Sequence, residues 1–542
     1  MKIIRSFSIF IKLSLLVCVL SCNNSPKTYD IVVYGGTSAG IAAAIQASRM
    51  GKRAIIIEPS NHIGGLTTGG LGATDIGNKQ VIGGISREFY ERIAQKYDNP
   101  TAWNWQEREA YIPKESTDSV KSMWTFEPKV AQEVFQDLIR EYKIVIIKNE
   151  RLDLNNGVHK KEGEIQFITA ESGKEYHGKM FIDATYEGDL MAKSGVGYTV
   201  GREANAKYGE TLNGVQKKHG IYHQFPDGVD PYIIKGDSIS GLLPNVNAAI
   251  NPDGSADDMV QGYCFRMCLT NVPENRMMVE KPERYNELDF ELLFRAIEAG
   301  YQGPFFIMSK MPNNKTDSNN KGPFSTDYIG RNFEYPDGNY ETRAAIIKEH
   351  ENYQKGLLWT LGNHPRVPEK IRAEFSTWGL PKDEFVNNQH WSPQLYIREA
   401  RRMLSDFVMT EMHCKQNPES ATESIGMGAY TMDSHHMQRY IDDQGFVKNE
   451  GDVEVGGFNP YPISYKAIVP KKQECTNLLV PVCLSASHIA FGSIRMEPVF
   501  MILAQSAATA ASLAIDSNST VQQVEYAQLQ QELVKDHQIL NK

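Results

Sequence analysis

Met432-Asp433-Ser434-His435-His436 holds the best acid/base candidates in the chain. Imidazole titrates near neutral pH and can take the proton of a substrate hydroxyl. Neighbouring residues of a strand point to opposite faces, so Asp433 cannot be assumed to orient either histidine. A bland histidine pair on the surface is the competing reading. Arg398, Arg401 and Arg402 form a second group. The segment Ile397–Phe407 reads as a helix, which sets these arginines at i, i+3 and i+4 on one face. Such a face either pairs with Glu399 and Asp406 or holds an anion, a pyrophosphate or an acidic substrate, with Arg398 the foremost candidate. A third group is Gly35-Gly36-Thr37-Ser38-Ala39-Gly40, followed at a distance by Glu58. A glycine turn opening a helix presents backbone N–H groups and a favourable dipole to a phosphate.

The elements around this turn give it its meaning. Tyr29–Tyr34 is a short apolar, β-branched run that reads as a buried parallel strand. Ile41–Ala47 reads as an alanine-rich helix ended by Gly51, and Arg53–Ile57 as a second strand closing at Glu58. This is a complete βαβ dinucleotide unit with its terminal acid, which can accept hydrogen bonds from the ribose hydroxyls. Gly35 serves the tight turn and Gly40 the close packing of helix on strand. Thr37 stands where the G-x-G-x-x-G pattern has its second glycine, so its hydroxyl or a shifted loop must compensate. His62-Ile63-Gly64-Gly65-Leu66-Thr67-Thr68-Gly69-Gly70 follows at once and suits backbone running along a flavin ribityl chain. Val130–Tyr142 is amphipathic, Lys143–Lys148 reads as a strand, and Ile165–Thr169 with Phe181-Ile182 as a hairpin-like region ending in Asp183-Ala184-Thr185-Tyr186-Glu187-Gly188-Asp189. Leu478–Val482 reads as a returning strand and Val499–Ala511 as a small-residue helix packed on the sheet. Pro312–Lys321 reads as a solvated polar loop.

These stretches, with Phe126-Glu127-Pro128, Tyr396–Arg402 and Ser487–Pro498, occur in the order of a known family. The chain resembles the FAD-dependent oxidoreductases common in bacterial carbohydrate-use loci, some of which carry a xanthan lyase label. Their fold is related to fumarate-reductase-like and GidA-like flavoproteins. The resemblance implies an α/β, Rossmann-like FAD/NAD(P)-binding fold with a parallel sheet and an inserted α+β substrate domain. In that layout 29–200 and 465–520 form the FAD-binding part, 201–464 the substrate or cap part, and 521–542 a C-terminal tail or helix. It implies FAD held without a covalent bond by Gly35–Gly40, Glu58, Pro59, Gly64, Gly65, Leu66, Thr67, Asp183, Ala184, Gly188, Asp189, Gly492, Arg495 and Met496, with His62 the alternative covalent anchor. The helix after Pro498 should point its N-terminus at the flavin, where the dipole favours charge on the reduced ring. His488 should line that ring. The implied activity is hydride transfer between a polyhydroxylated substrate, a sugar or glycan fragment, and flavin N5, with His435 or His488 as base and Arg398 orienting the substrate. A glycan-binding lipoprotein with an idle flavin fold is the alternative; a lyase would need a base and a carboxylate-neutralising site that the sequence does not show.

The chain has 542 residues, 41% of them hydrophobic and 23% charged, with a net charge of -9. That suits several globular domains and no disordered or fibrous class. Lys2 and Arg5, an apolar stretch from Phe7 to Leu20 and Ser21-Cys22 resemble a bacterial lipoprotein signal, residues 1–21, with Cys22 lipidated and 22–28 a tether; an ordinary secretory signal is the alternative. The expected location is extracytoplasmic, anchored to a membrane surface. Without Lys2, Arg5 and Lys12, 54 basic residues face 66 acidic ones. No basic run offsets this, which disfavours a nucleic-acid partner. The mean hydropathy of -0.41 excludes a polytopic membrane protein. Cys264 and Cys268 could pair but read better as small buried residues. No Cys-x-x-Cys and no Cys/His ligand spacing points to a metal. A second dinucleotide motif and a redox cysteine pair are also missing, which leaves oxygen, a quinone or a second protein as electron acceptor.

Overall fold

A computed structural model describes residues 27–111 and 122–542. The expected signal and lipidation site at Cys22 lie outside the described residues. β1 (Thr28–Tyr34) runs parallel to β2 (Ala54–Glu58), and β2 to β3 (Val145–Lys148). β6 (Glu175–Asp183) lies on the other side of β1, also parallel, with Val33 opposite Ile182. β5 (Glu164–Thr169) and β4 (Val158–Lys161) continue the sheet antiparallel, giving the order β3-β2-β1-β6-β5-β4. Leu478–Leu479 returns from the far end of the chain to pair in parallel with the end of β6. Ile31, Val32, Val33 and Tyr34 are buried on both faces, as a strand covered by helices requires.

α1 (Ser38–Arg49) starts at Thr37, whose hydroxyl caps the Gly40 N–H at 3.2 Å. Its alanines let it fit between the sheet and the helix Glu497–Ser517, which meets it through Gln46 Nε2 donating to Thr509 Oγ1 at 3.0 Å. Among the described residues Glu497–Ser517 is the one helix long and apolar enough to cross a membrane, and 89% of its apolar window is buried inside the protein. The alanines and Ser, Thr and Gln of this helix serve close packing. Residues 526–535 form a helix near the C-terminus.

Two expectations fail here. Pro312–Lys321 is not a solvated loop: Lys315–Asn320 is the central strand of a three-stranded antiparallel sheet between Met267–Thr270 and Phe306–Met311. Lys315, Thr316, Asp317 and Ser318 are buried there because their polar groups have partners inside the protein. Residues 397–401 are not helical; they connect the two-residue strands Leu395–Tyr396 and Arg402–Met403. The three arginines therefore share no face. Arg398 pairs with Asp327, Arg401 with Asp189 and Asp337, and Arg402 with Glu203.

Candidate functional site

The glycine turn lines a cavity of about 290 Å³ together with Glu58, Pro59, His62, Gly65, Thr185, Asp189 and Arg343. Gly35 takes φ +102°, and a Cβ there would lie 2.9 Å from the Ala184 and Thr185 backbone. A Cβ on Gly40 would sit 1.9 Å from the Gly35 carbonyl, so this glycine is what lets α1 close on β1. Thr37 compensates for the missing second glycine by turning inward: its hydroxyl donates to the Ala184 carbonyl at 2.7 Å. Glu58 is 7% exposed and accepts from the Gly36 and Ser60 N–H groups at 2.6 and 2.7 Å. Burial pushes its carboxyl pKa up. Thr37 also bridges to Gly64, where α2 (Gly65–Thr68) begins, with Gly64 at φ +97° and Gly65 at φ +54°. The Leu66 N–H donates to the Tyr186 hydroxyl at 2.9 Å.

Several expected cofactor residues serve each other. Ser38 and Thr67 donate their hydroxyls to Glu497 at 2.5 and 2.7 Å, and Tyr186 to the other oxygen at 2.7 Å. Glu497 thereby ties α1 and α2 to the helix that Met496 caps, and its charge suits that helix N-terminus. Asp183 is fully buried and accepts from Thr185 and Met191; burial raises its pKa to about 6. Gly188, at φ +69°, starts the short helix that carries Asp189. The Asp189 carboxylate is held by Arg343 at 2.6 and 2.9 Å and by Arg401 at 2.7 Å. The left-handed glycines, the cavity against them and the carboxylate at the end of β2 fit a bound dinucleotide.

Arg495 and Gly492 stand at the other end of this frame. Gly492 packs where a Cβ would meet the Asp433 carbonyl at 2.6 Å. Arg495 donates to the Tyr396 hydroxyl at 2.7 Å and to the Asp433 carbonyl at 3.1 Å. His435 and His436 are no surface pair: they are 8% and 4% exposed. His435 Nδ1 lies 2.7 Å from Asp327 Oδ2, and its Nε2 makes no hydrogen bond, with Asp433 Oδ2 at 3.8 Å. Burial, then the Arg398 charge, holds the His435 pKa below the ordinary imidazole value. His436 has no hydrogen-bond partner on either ring nitrogen, and burial takes it down to about 3. His488 is fully engaged, Nδ1 with Glu399 at 2.8 Å and Nε2 with Ser434 at 3.1 Å. Gln261 joins the two histidines: its Nε2 donates to Glu399 at 3.1 Å and its Oε1 accepts from the His435 N–H at 3.1 Å.

A second cavity, of about 760 Å³, is lined by Thr74, Asp75, Trp124, Thr125, Arg266, Asn319 and Tyr430 among others. It adjoins the glycine-rich stretch after α2, where a Cβ on Gly77 would lie 1.9 Å from the Ala429 carbonyl. Arg266 is clamped by Asp317 at 2.8 and 2.6 Å and reaches Asp75 at 3.3 Å. The Tyr430 pKa is raised by Asp75 and then by burial and Asp433, with Arg495 opposing, so Tyr430 connects the cavity wall to Asp433 and Arg495. Trp124 Nε1 and Asn319 Oδ1 are buried polar atoms without a protein partner in that wall. Asp75, Arg266, Asp317 and Asp327 carry no motif. Asp317 lies within the run that composition marks as loop, and nothing local in the sequence singles out the others.

A βαβ unit whose glycine turn lines a cavity, with a carboxylate at the end of its second strand, defines a dinucleotide-binding protein. The chain belongs to the FAD dependent oxidoreductase family, which it matches over residues 30–533, and FAD is its cofactor. No curated protein matches it in sequence. Solved structures it is similar to include a flavin monooxygenase from Stenotrophomonas maltophilia, at 13% identity and TM-score 0.19 over 29% of this chain and 38% of that one. L-proline dehydrogenase from P.horikoshii shows 16% identity and TM-score 0.23 over 33% of this chain and 59% of that one. L-amino acid deaminase from Proteus vulgaris shows 16% identity and TM-score 0.24 over 33% and 53%. In each case the shared part is less than two thirds of the other protein.

Proposed function

We propose that the protein oxidises a hydroxyl-bearing carbon of a polyhydroxylated substrate, a sugar or glycan fragment. The observation that carries this is His435: a buried neutral imidazole, tied at Nδ1 to Asp327, with Nε2 unbonded. FAD, when bound, supplies the acceptor for the hydride. His435 Nε2 takes the hydroxyl proton as the C–H bond gives up its electron pair, and the carbon is left as a carbonyl. Arg495 and Tyr396 are suited to orient the hydroxyl groups. The cavity lined by Tyr430 and Arg266, whose wall takes in none of His435, Arg495 and Tyr396, has a volume within the range of ligand sites, about 300–1,000 Å³. Its indole, carboxylate, guanidinium and amide supply the apolar face and the mixed donors and acceptors that a sugar requires. FAD is expected to sit against Gly35, Thr37, Glu58, Pro59 and Gly65, without a covalent bond to His62. The first 22 residues support export and a lipid anchor at Cys22.

The test is a visible spectrum of the purified holoprotein under anaerobic conditions with a panel of neutral and acidic sugars. Bleaching of the flavin bands by one class supports the reading. A flavin that bleaches with dithionite but with no sugar, while sugars bind, supports glycan binding with an idle flavin instead.

A further inference from the structure

Asp327 is fully buried between two partners that use different oxygens. Its Oδ2 faces His435 Nδ1 at 2.7 Å, and its Oδ1 faces an Arg398 guanidinium nitrogen at 2.9 Å. Arg398 is itself 1% exposed, donates to the Gly262 carbonyl and to Cys264 Sγ, and lines neither cavity. Among the described residues Asp327 is the one acid that this buried guanidinium pairs with.

We propose that Asp327, held by Arg398, is a positioning residue that locks His435 with its proton on Nδ1 and its lone pair on Nε2. The argument is one of donor and acceptor supply. An ionised carboxylate only accepts, so the nitrogen facing it must carry the proton. Burial pushes the Asp327 pKa up, but the Arg398 charge and the hydrogen bond from His435 hold it well below the usual carboxylate range. The arrangement has the logic of a carboxylate-oriented base, in which the acid sets the tautomer and never takes the proton. The other charged or titratable groups around the ring are Asp433, His436 and Glu454. None of them hydrogen-bonds to either ring nitrogen. Asp433, the neighbour in sequence, is 3.8 Å from Nε2 and turned toward Arg495 at 3.4 Å. The role that adjacency suggests for Asp433 falls to a residue 108 positions away.

The proposal rests on the preceding reading for the part His435 plays in proton transfer, and its test separates the two. The tautomer is read directly by ¹⁵N NMR of full-length holoprotein labelled at histidine, with His435→Gln for assignment. The expected wild-type result is a protonated Nδ1 and a bare Nε2. Asp327→Asn reverses this: Arg398 can only donate, so the new amide turns its oxygen to Arg398 and its NH₂ to Nδ1, driving the proton to Nε2. Sugar-driven flavin reduction in that variant should slow about 10²- to 10⁴-fold with the oxidised flavin spectrum unchanged. Asp327→Glu, which restores an acceptor, should recover part of the rate. A wild-type imidazole protonated on Nε2 overturns the proposal even if no variant folds. So does an Asp327→Asn enzyme that keeps the wild-type tautomer and pH–rate profile. A wild-type flavin that no sugar reduces overturns the sugar-oxidation reading instead, and leaves the tautomer result standing.

Discussion

Replacing Glu58 by alanine probes the cofactor cradle at the point where its geometry is most defined. The carboxylate is 7% exposed and accepts two short backbone hydrogen bonds, from Gly36 at 2.6 Å and Ser60 at 2.7 Å. It therefore shapes the glycine turn as well as standing where the ribose is expected to bind. Hydrogen bonds to a charged acceptor are worth about 1.5–3 kcal/mol each. At about 1.4 kcal/mol per decade, losing the ribose contact alone should raise the FAD Kd about 10- to 150-fold. Glu58→Gln keeps one acceptor oxygen for the Gly36 N–H and should fall at the low end of that range. The assay is titration of apoprotein with FAD, followed by flavin fluorescence quenching, with thermal unfolding of both apoproteins as a check on the turn. An unchanged Kd in the alanine variant would remove Glu58 from the cofactor site and undo the reasoning from the βαβ unit to the ribose.

Other outcomes follow from the same structure. Lys315 lies fully buried at 2.7, 2.8 and 2.6 Å from Glu127, Asp383 and Glu384, so Lys315→Met leaves Glu384 without its ion-pair partner and the other two with Lys129 alone. It should cost about 3–5 kcal/mol in denaturant unfolding, and a loss below 1 kcal/mol would contradict the buried network. Asp452 is buried, with one oxygen unpartnered and its pKa raised to about 9 by burial and then by Glu454. Since the unfolded group ionises near 3.8 and the folded one stays neutral until about 9, it lowers stability progressively as pH rises through that window. Asp452→Asn should therefore gain in Tm over the wild type as pH is raised from 5 to 8, and a constant difference would show that Asp452 ionises normally. Acid denaturation followed by filtration should release the flavin, whereas yellow colour left on the polypeptide would point to a covalent bond at His62.

How much of this was legible in the sequence follows the range of the interactions. The βαβ unit is local: Gly35, Thr37, Gly40 and Glu58 announce themselves by spacing, and the strand, turn and helix form where their pattern says. The returning strand at Leu478 and the buried helix after Pro498 are also legible, because apolar runs and small residues report packing. The second half of the chain is governed by charges paired across long separations. Arg398, Arg401 and Arg402 have helical spacing, yet each is drawn to a separate acidic partner, and the helix is absent. Lys315-Thr316-Asp317-Ser318 has the composition of a loop, yet it forms a central strand because Glu127, Glu384 and Arg266 neutralise it. Asp327 carries no local signal for its part beside His435, which appears only when the fold brings it to the residue that follows the strand Met432–Ser434.

The central claim is that His435 accepts a substrate proton while FAD accepts the hydride, and stopped-flow flavin bleaching tests it most directly. The wild type and His435→Ala holoproteins are mixed anaerobically with the sugar that reduces the wild type, across a range of pH. The account predicts that the variant keeps its oxidised spectrum and reduces about 10²- to 10⁴-fold more slowly. The wild-type rate should fall as pH drops through a His435 pKa that burial sets below the usual imidazole value, because imidazolium cannot accept a proton. Equal rates in the two proteins, with no loss of rate toward acid pH in the wild type, would contradict it.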